Sequence, residues 1–272
     1  MRIRITHETT YRYSDPVRSA IQLLRLTPRA HDGQTVLSWT IDTDCNARLI
    51  RREDWYGNVA HSLFAAGPIE AITLKVAGEI ETTDTGGVVR AGVERFPCMF
   101  YLRETPLTRL DAALRDFAQE TAGRLANPLD QGHALMGAIH GRLRFVTDAT
   151  NSGTTASEAF QAGHGVCQDF THIFLAAARS LGIPARYVSG YLHRPEQTVQ
   201  EAGHAWAEAH VEGLGWVSFD PANTVSTTEH YVRIAVGLDY LDAAPVRGSY
   251  YGVSREALEV RLRIEGARQA QA

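Results

Sequence analysis

Apolar residues fall at every second position through the first third of this chain and at every third or fourth position through its middle. No single type of element accommodates both patterns. Ile3 and Ile5 alternate with Arg2, Arg4 and Thr6; Leu37, Trp39 and Ile41 alternate with Ser38 and Thr40; Ile72, Leu74 and Val76 alternate with Thr73 and Lys75. A period of two puts one set of side chains on a buried sheet face and the other in water. Asp15-Pro16, His31-Asp32-Gly33, Tyr56-Gly57-Asn58 and Gly67-Pro68 separate the runs as turns. Residues 1–95 therefore read as an antiparallel β-sandwich of two packed sheets, with Asp84-Thr85-Gly86-Gly87 as a linker or hairpin tip.

The helical period begins after residue 95. Thr105-Pro106 reads as the N-cap and first-turn proline of a helix carrying Leu107, Leu110, Leu114 and Phe117, ended by Asn127-Pro128. Asp130 reads as the cap of a second helix carrying Leu135, Ile139 and Leu143. Thr155-Ala156-Ser157-Glu158 fits a capping box, opening a short helix that stops at Gly163. Strict alternation returns at Leu258, Val260, Leu262 and Ile264, and periodicity does not say which sheet takes that strand. The fold class is α+β. It divides into a β-sandwich over 1–95, a second core over 96–250, and a C-terminal strand and tail over 251–272.

Composition narrows the partners. Hydrophobic residues at 44% and charged residues at 21% are ordinary for a soluble globular protein. Lys+Arg 27 against Asp+Glu 31 leaves a formal charge of −4, which offers no electrostatic ground for a nucleic-acid or membrane partner. Lys75 is the only lysine, and the arginines form no cluster. Met1-Arg2-Ile3-Arg4-Ile5 lacks the basic-then-apolar layout of a signal peptide, and no apolar run approaches the ~20 residues of a membrane span. Cys45, Cys98 and Cys167 are odd in number and far apart, so they imply neither a disulfide framework nor a paired-cysteine metal site. A reducing, cytoplasmic setting is expected.

Of the three, Cys167 has the most informative surroundings. It follows Gly163-His164-Gly165-Val166 and precedes Phe170, Ile173, Phe174, Ala177 and Leu181, which share one helix face. Gly182 suits the residue just past the helix end, and Pro184 prevents continuation. Cys167 thus stands at a helix N-terminus, where free N–H groups and the helix dipole favour an anion. A thiolate is the nucleophilic form of cysteine, so this is a sound position for one. A small buried residue at a helix start is the alternative reading.

A thiolate nucleophile needs a proton carrier and a group to orient it. In His204-Ala205-Trp206-Ala207-Glu208-Ala209-His210-Val211 the even-numbered residues point one way and the small residues the other. A glycine turn and a second strand, Trp216-Val217-Ser218-Phe219-Asp220, follow. A two-residue loop would put His204 and Asp220 on opposite faces. A three-residue loop of Val211-Glu212-Gly213 places them on one face and pairs His204 directly with Asp220, with Glu208 opposite Trp216. Pro221 then ends the ladder. The alternatives are a satisfied strand histidine and a strand-end aspartate.

Gly165-Val166-Cys167-Gln168-Asp169-Phe170, Leu181-Gly182-Ile183-Pro184-Ala185-Arg186-Tyr187-Val188-Ser189-Gly190-Tyr191, His204-Ala205-Trp206 and Phe219-Asp220-Pro221-Ala222-Asn223 together resemble the core of the bacterial transglutaminase-like superfamily. Tyr11-Arg12-Tyr13 with Pro16-Val17, and Leu24-Arg25-Leu26-Thr27-Pro28, resemble the β-rich N-terminal domain of the same proteins. Gly237-Leu238-Asp239-Tyr240 resembles their C-terminal segment. The resemblance implies a papain-like core, with a cysteine-bearing helix against an antiparallel sheet bearing histidine and aspartate. It assigns Cys167 as nucleophile, His204 as base and acid, and Asp220 as the residue that orients His204. It implies no cofactor and no metal, and a peptide or protein amide as substrate. Hydrolysis of a peptide, isopeptide or glutamine-type amide is expected over cross-linking to a primary amine.

Three further readings stand beside this one. His164, His172 and His210 invite a metal site with Cys167 and His204, but their spacing along helix and strand does not converge three or four ligands. Asp169, Asp239 and Tyr240 are candidates for the cleft border, Asp169 with the alternative of complementing its helix's first turn. Gln161 is a candidate oxyanion donor, and a plain exposed helix residue otherwise. A non-catalytic peptide-binding module on the same fold is the last alternative, and the intact Cys167, His204 and Asp220 set argues against it.

Overall fold

A computed structural model describes residues 1–267 of the chain. The first sheet is built on two long strands, β1 (Arg2–Thr27) and β4 (Val59–Thr82), joined through β2 (Gln34–Thr43) and β3 (Ala47–Glu53). β1 and β4 pair antiparallel along nearly their whole length, with register shifts between Arg12 and Ser19. On one side of that irregularity β4 carries β2 as its outer neighbour, and on the other it carries β3. Residues from both halves, including Leu24 and Leu63 from one and Ile72, Leu74 and Val76 from the other, share one buried cluster. The expected sandwich is thus one hydrogen-bonded sheet packed upon itself. Bulges of this kind bend a strand and increase its twist.

A bulge also displaces one expected core residue. The pairing of β2 with β4 slips between Val36 and Ser38, and Leu37 lies in that slip at 45% exposure. Trp39 and Ile41 keep the anticipated alternation and pack on the buried clusters.

The chain then crosses to the second body. β5 (Val88–Val89) pairs with Trp216 and Val217 of the second sheet. Thr105 caps only a 3₁₀ turn at Pro106–Thr108, because Arg109 is extended. The helix α1 (Ala112–Ala122) takes Asp111 as its cap instead. Asn127 opens α2 (Pro128–Arg142), accepting from the Leu129 N–H with Pro128 in the first turn, and Asp130 sits inside that turn. Proline at this position lacks an N–H that would have had no partner anyway. A short parallel bridge between β6 (Arg144–Phe145) and β7 (His164–Gly165) brackets α3 (Ala156–Ala162). That helix has the anticipated capping box at Thr155 and a left-handed Gly163 at its end.

The central helix α4 (Cys167–Ser180) is buried on nearly every side from Asp169 to Arg179. α1, α2 and α3 pack on it from one side, and from the other β8 (Ala185–Leu192) and β10 (His204–Val211). Between them in sequence, β9 (Val199–Gln200) pairs at the edge of the first sheet. Phe170, Ile173, Phe174 and Ala177 have essentially no exposed surface. At about 1.5–3 kcal/mol for each large apolar side chain fully buried, this packing dominates the helix's stability. Leu181 caps the end of α4, with left-handed Gly182 following. The second sheet completes with β11 (Gly215–Phe219) and β12 (Tyr231–Gly237) in the antiparallel order β12-β8-β10-β11-β5.

The last elements return to the first sheet. After α5 (Tyr240–Ala243), β13 (Val246–Tyr251) pairs with the second half of β1, and β14 (Glu256–Ala267) pairs with its first half. The hydrogen-bonded sheets therefore cross the sequence divisions at residues 95 and 250. Val88–Val89 belongs to the second sheet, and Val199–Gln200 and Val246–Tyr251 belong to the first. Asn58 and Gln34 tie the bodies together by bonding both backbone groups of Val236 and of Arg233 respectively.

Candidate active site

Cys167 is the first residue of α4, and its approach is shaped by Asp169. The Asp169 carboxylate accepts the Val166 N–H at 2.8 Å and the Thr150 hydroxyl at 2.7 Å. It lies so close to Gly165 that a Cβ there would come within 2.6 Å of it. The loop thus has to carry glycine where the chain turns into the helix. Asp169 is buried, which pushes its carboxyl above the ordinary range. It complements the helix start and does not border the cleft.

His204 opens β10, opposite Gly190 on β8. The hairpin that brings Asp220 to it differs from the anticipated one. Glu212-Gly213-Leu214 form the loop, and the pairs run Glu208 to Ser218 and His210 to Trp216. The register is displaced by two residues, an even number, so the faces are preserved. Residues His204 and Asp220 meet on a diagonal, His204 Nε2 donating to Asp220 Oδ2 at 2.6 Å. Diagonal neighbours of this kind stay within reach of long or aromatic side chains.

Asp220 collects more donors than the imidazole alone. Asn223 Nδ2 at 2.7 Å and the Tyr231 hydroxyl at 2.8 Å share Oδ2 with His204. The backbone N–H groups of Ala222 and Asn223 donate to Oδ1. Burial alone would push this carboxyl up, but the hydrogen bonds and the positive imidazole outweigh it and hold it below its usual value. Burial alone would likewise lower His204. The hydrogen bond and charge of Asp220, together with the Cys167 sulfur, raise it to about 9 instead. Trp206 stacks near the imidazole, with centroids 6.2 Å apart, and the Tyr231 ring packs against both.

Cys167 and His204 line one cavity of about 320 Å³, of the size that accepts small ligands. Tyr240 lines it too, whereas Asp239 caps α5 through the Leu241 and Asp242 N–H groups. Gln161 donates to Asp111 at 2.8 Å and is not part of the cavity wall. The other histidines have separate tasks. His172 is fully buried and accepts the Tyr240 N–H at Nε2, and burial pushes it down to about 3. His164 bonds the Ala162 carbonyl, and His210 lies edge-on to Trp216. Glu208, among the even-numbered residues that share a face with His204, is fully buried between Arg186 and Arg233. Among the residues that hold Asp220, Tyr231 had no local signal, being on a strand outside the hairpin; Asn223 was visible as part of the Asp-Pro-Ala-Asn run.

Comparison with known proteins gives the same grouping. Residues 3–81 match the bacterial transglutaminase-like N-terminal region and residues 115–221 match the transglutaminase-like superfamily. An uncharacterized protein of Mycobacterium leprae, ML0607, is 31% identical over 97% of this chain and 98% of its own. A second, Rv2569c of Mycobacterium tuberculosis, is 27% identical over 94% of this chain and 90% of its own. In fold the chain is similar to a crystal structure from Cytophaga hutchinsonii described as a candidate cysteine protease, with a TM-score of 0.79, 21% identity, and coverage of 99% of this chain and 92% of that one. With its β-rich N-terminal region and its cysteine-bearing helix packed on an antiparallel sheet, this chain belongs to the transglutaminase-like superfamily.

Proposed function

We propose that the protein is a cysteine-dependent acyl-transfer enzyme that hydrolyses a peptide, isopeptide or glutamine-type amide. The observation that carries this reading is the 2.6 Å bond from His204 Nε2 to Asp220 Oδ2, with Cys167 at a helix N-terminus in the same cavity. With Nε2 committed to Asp220, Nδ1 is the nitrogen left to serve the thiol. An imidazole raised to about 9 is charged at neutral pH, so it enters the reaction able to give a proton.

The steps follow from those groups. The Cys167 thiolate attacks the amide carbonyl, forming a C–S bond. The Cys167 backbone N–H, one of the unpaired donors of the first turn, stabilises the oxyanion. As the intermediate collapses, the C–N bond breaks and the amine leaves with the proton from His204. Water then attacks the thioester and gives its proton to His204. The C–S bond breaks, and the acid departs, restoring thiolate and imidazolium. The three free cysteines accord with a reducing, cytoplasmic setting, which keeps the nucleophile available.

The test has two parts. A thiol-reactive probe is expected to label Cys167 rapidly in the native protein and slowly after His204→Ala; equal rates would favour a binding scaffold. Incubation with glutamine- and isopeptide-containing peptides plus a primary amine, read by mass spectrometry, is expected to yield free acid. A predominant amine adduct would instead assign a protein-glutamine gamma-glutamyltransferase.

A further inference from the structure

The cavity beside Cys167 has a wall that the catalytic core does not supply. His7, Thr9 and Tyr11 of β1 and Leu258 and Val260 of β14 line it, although all five belong to the first sheet. Register explains why. Thr9 pairs with Val260 and Tyr11 with Leu258, and directly paired residues point to the same side of a sheet. The same face, further along both strands, buries Ile3, Ile5, Leu262 and Ile264 in the main core. The sheet therefore clamps onto the core at one end and stands open over the thiol at the other. There Leu258 is left 59% exposed.

The chemistry of the wall is uniform. No Asp, Glu, Lys or Arg side chain lines the cavity among the described residues. Some of the polar groups that do already have partners. His7 bonds the Tyr191 hydroxyl at 2.8 Å and the Thr9 hydroxyl at 3.0 Å, and Ser189 donates to the Ala243 carbonyl. Burial holds His7 down at about 4, so it brings no charge at neutral pH. Apart from the His204 imidazolium, which is already held by Asp220, a charged group entering here would lose its water and find no counter-ion, whereas an apolar one loses nothing and gains contact.

We infer that the first sheet forms a specificity wall, with Val260 and Leu258 at its centre, that selects acyl groups carrying a bulky uncharged side chain next to the reacting carbonyl. This rests on the reading of Cys167 as the nucleophile. It assigns the N-terminal and C-terminal strands a part in choosing substrate as well as in folding.

Acetyl-phenylalanyl, acetyl-aspartyl and acetyl-arginyl chloromethyl ketones test the assignment, each reacting as Cys167 Sγ bonds to the methylene carbon and chloride leaves. Iodoacetamide, with no side chain to place, reports thiol reactivity alone. On the native protein the phenylalanyl probe is expected to label about tenfold faster or more than either charged probe. Val260→Arg is expected to invert the preference toward the aspartyl probe, while Val260→Ala, which leaves the wall uncharged, keeps it. Thermal unfolding verifies that each variant is folded, and the native-protein series decides even if Val260→Arg is not. Equal labelling by all three probes alongside normal, His204-dependent iodoacetamide reaction overturns the inference and spares the proposed chemistry. Iodoacetamide labelling indifferent to His204 overturns the chemistry itself.

Discussion

Tyr231 reaches from the far strand of the second sheet to donate its hydroxyl to Oδ2 of Asp220 at 2.8 Å. The same oxygen holds His204, so the carboxylate is fixed from β12 as well as from its own loop. Hydrogen bonds to a charged group contribute about 1.5–3 kcal/mol. Tyr231→Phe is expected to lower the unfolding free energy by about that amount in urea titrations. Asp220→Asn removes the charge itself and is expected to slow Cys167 acylation by about 10²–10⁴-fold. The Tyr231 variant should lose much less, since His204 and Asn223 still hold the carboxylate; equal losses would contradict the arrangement.

Two histidines give stability opposite slopes with pH. His204 is raised from 6.5 to about 9, so the folded state binds its proton more tightly than the unfolded chain. That contribution, on the order of 3 kcal/mol, is complete below about pH 6.5 and is lost as pH climbs through about 9. Burial lowers His172 from 6.5 to about 3, so its contribution is complete above 6.5 and is lost as pH falls toward 3. Urea unfolding across pH is expected to show the alkaline decline flattened in His204→Gln and the acid decline reduced in His172→Gln. Unchanged slopes would contradict these assignments.

Glu208 is the counter-charge for the buried Arg186, which also meets Glu94, and for the partly buried Arg233. Arg186 Nε donates to it at 2.6 Å and Arg233 Nε at 2.7 Å, and these bonds hold its carboxyl down at about 2 despite burial. Arg186 also lies 3.9 Å from the centre of the Trp216 ring. Removing one partner of a buried ion pair typically costs about 3–5 kcal/mol because a charge is stranded. Glu208→Ala is expected to lose at least that much in denaturant titrations, and a loss below about 1 kcal/mol would show that solvent reaches the arginines.

Gly132 in α2 is a packing glycine. A Cβ there would come within 2.5 Å of the Phe219 ring, which is stacked on Phe174 of α4. Alanine is ordinarily better in a helix by about 1 kcal/mol. Overpacking costs about 1–3 kcal/mol and falls here on the residue just before Asp220. Gly132→Ala is therefore expected to lower both stability and the rate of Cys167 labelling. A stabilised variant would mean that Phe219 moves freely.

Local periodicity made much of this molecule legible. The bounds of α4, the place of Cys167 at its start and the left-handed Gly182 after it all follow from helical spacing and glycine chemistry. The shared face of His204 and Asp220 followed from parity, which survives any even error in register. The register itself did not follow, because Val211-Glu212-Gly213 and Glu212-Gly213-Leu214 are both three-residue loops with a glycine. Asn127 was ambiguous for a similar reason: a residue before proline ends one helix and caps the next with the same chemistry. Glu208 was misleading because alternation identifies a face and says nothing of what covers it. Arg186 and Arg233 come from neighbouring strands, and such partners become visible only in three dimensions.

The placement of Leu258 and Val260 orders events along the chain. Cys167, His204 and Asp220 are all synthesised before the strand that flanks their cleft. Without β14 docked on β1, the cavity would lack the wall that Leu258 and Val260 supply. On the inference above, selectivity would then depend on the pairing of β14 with β1.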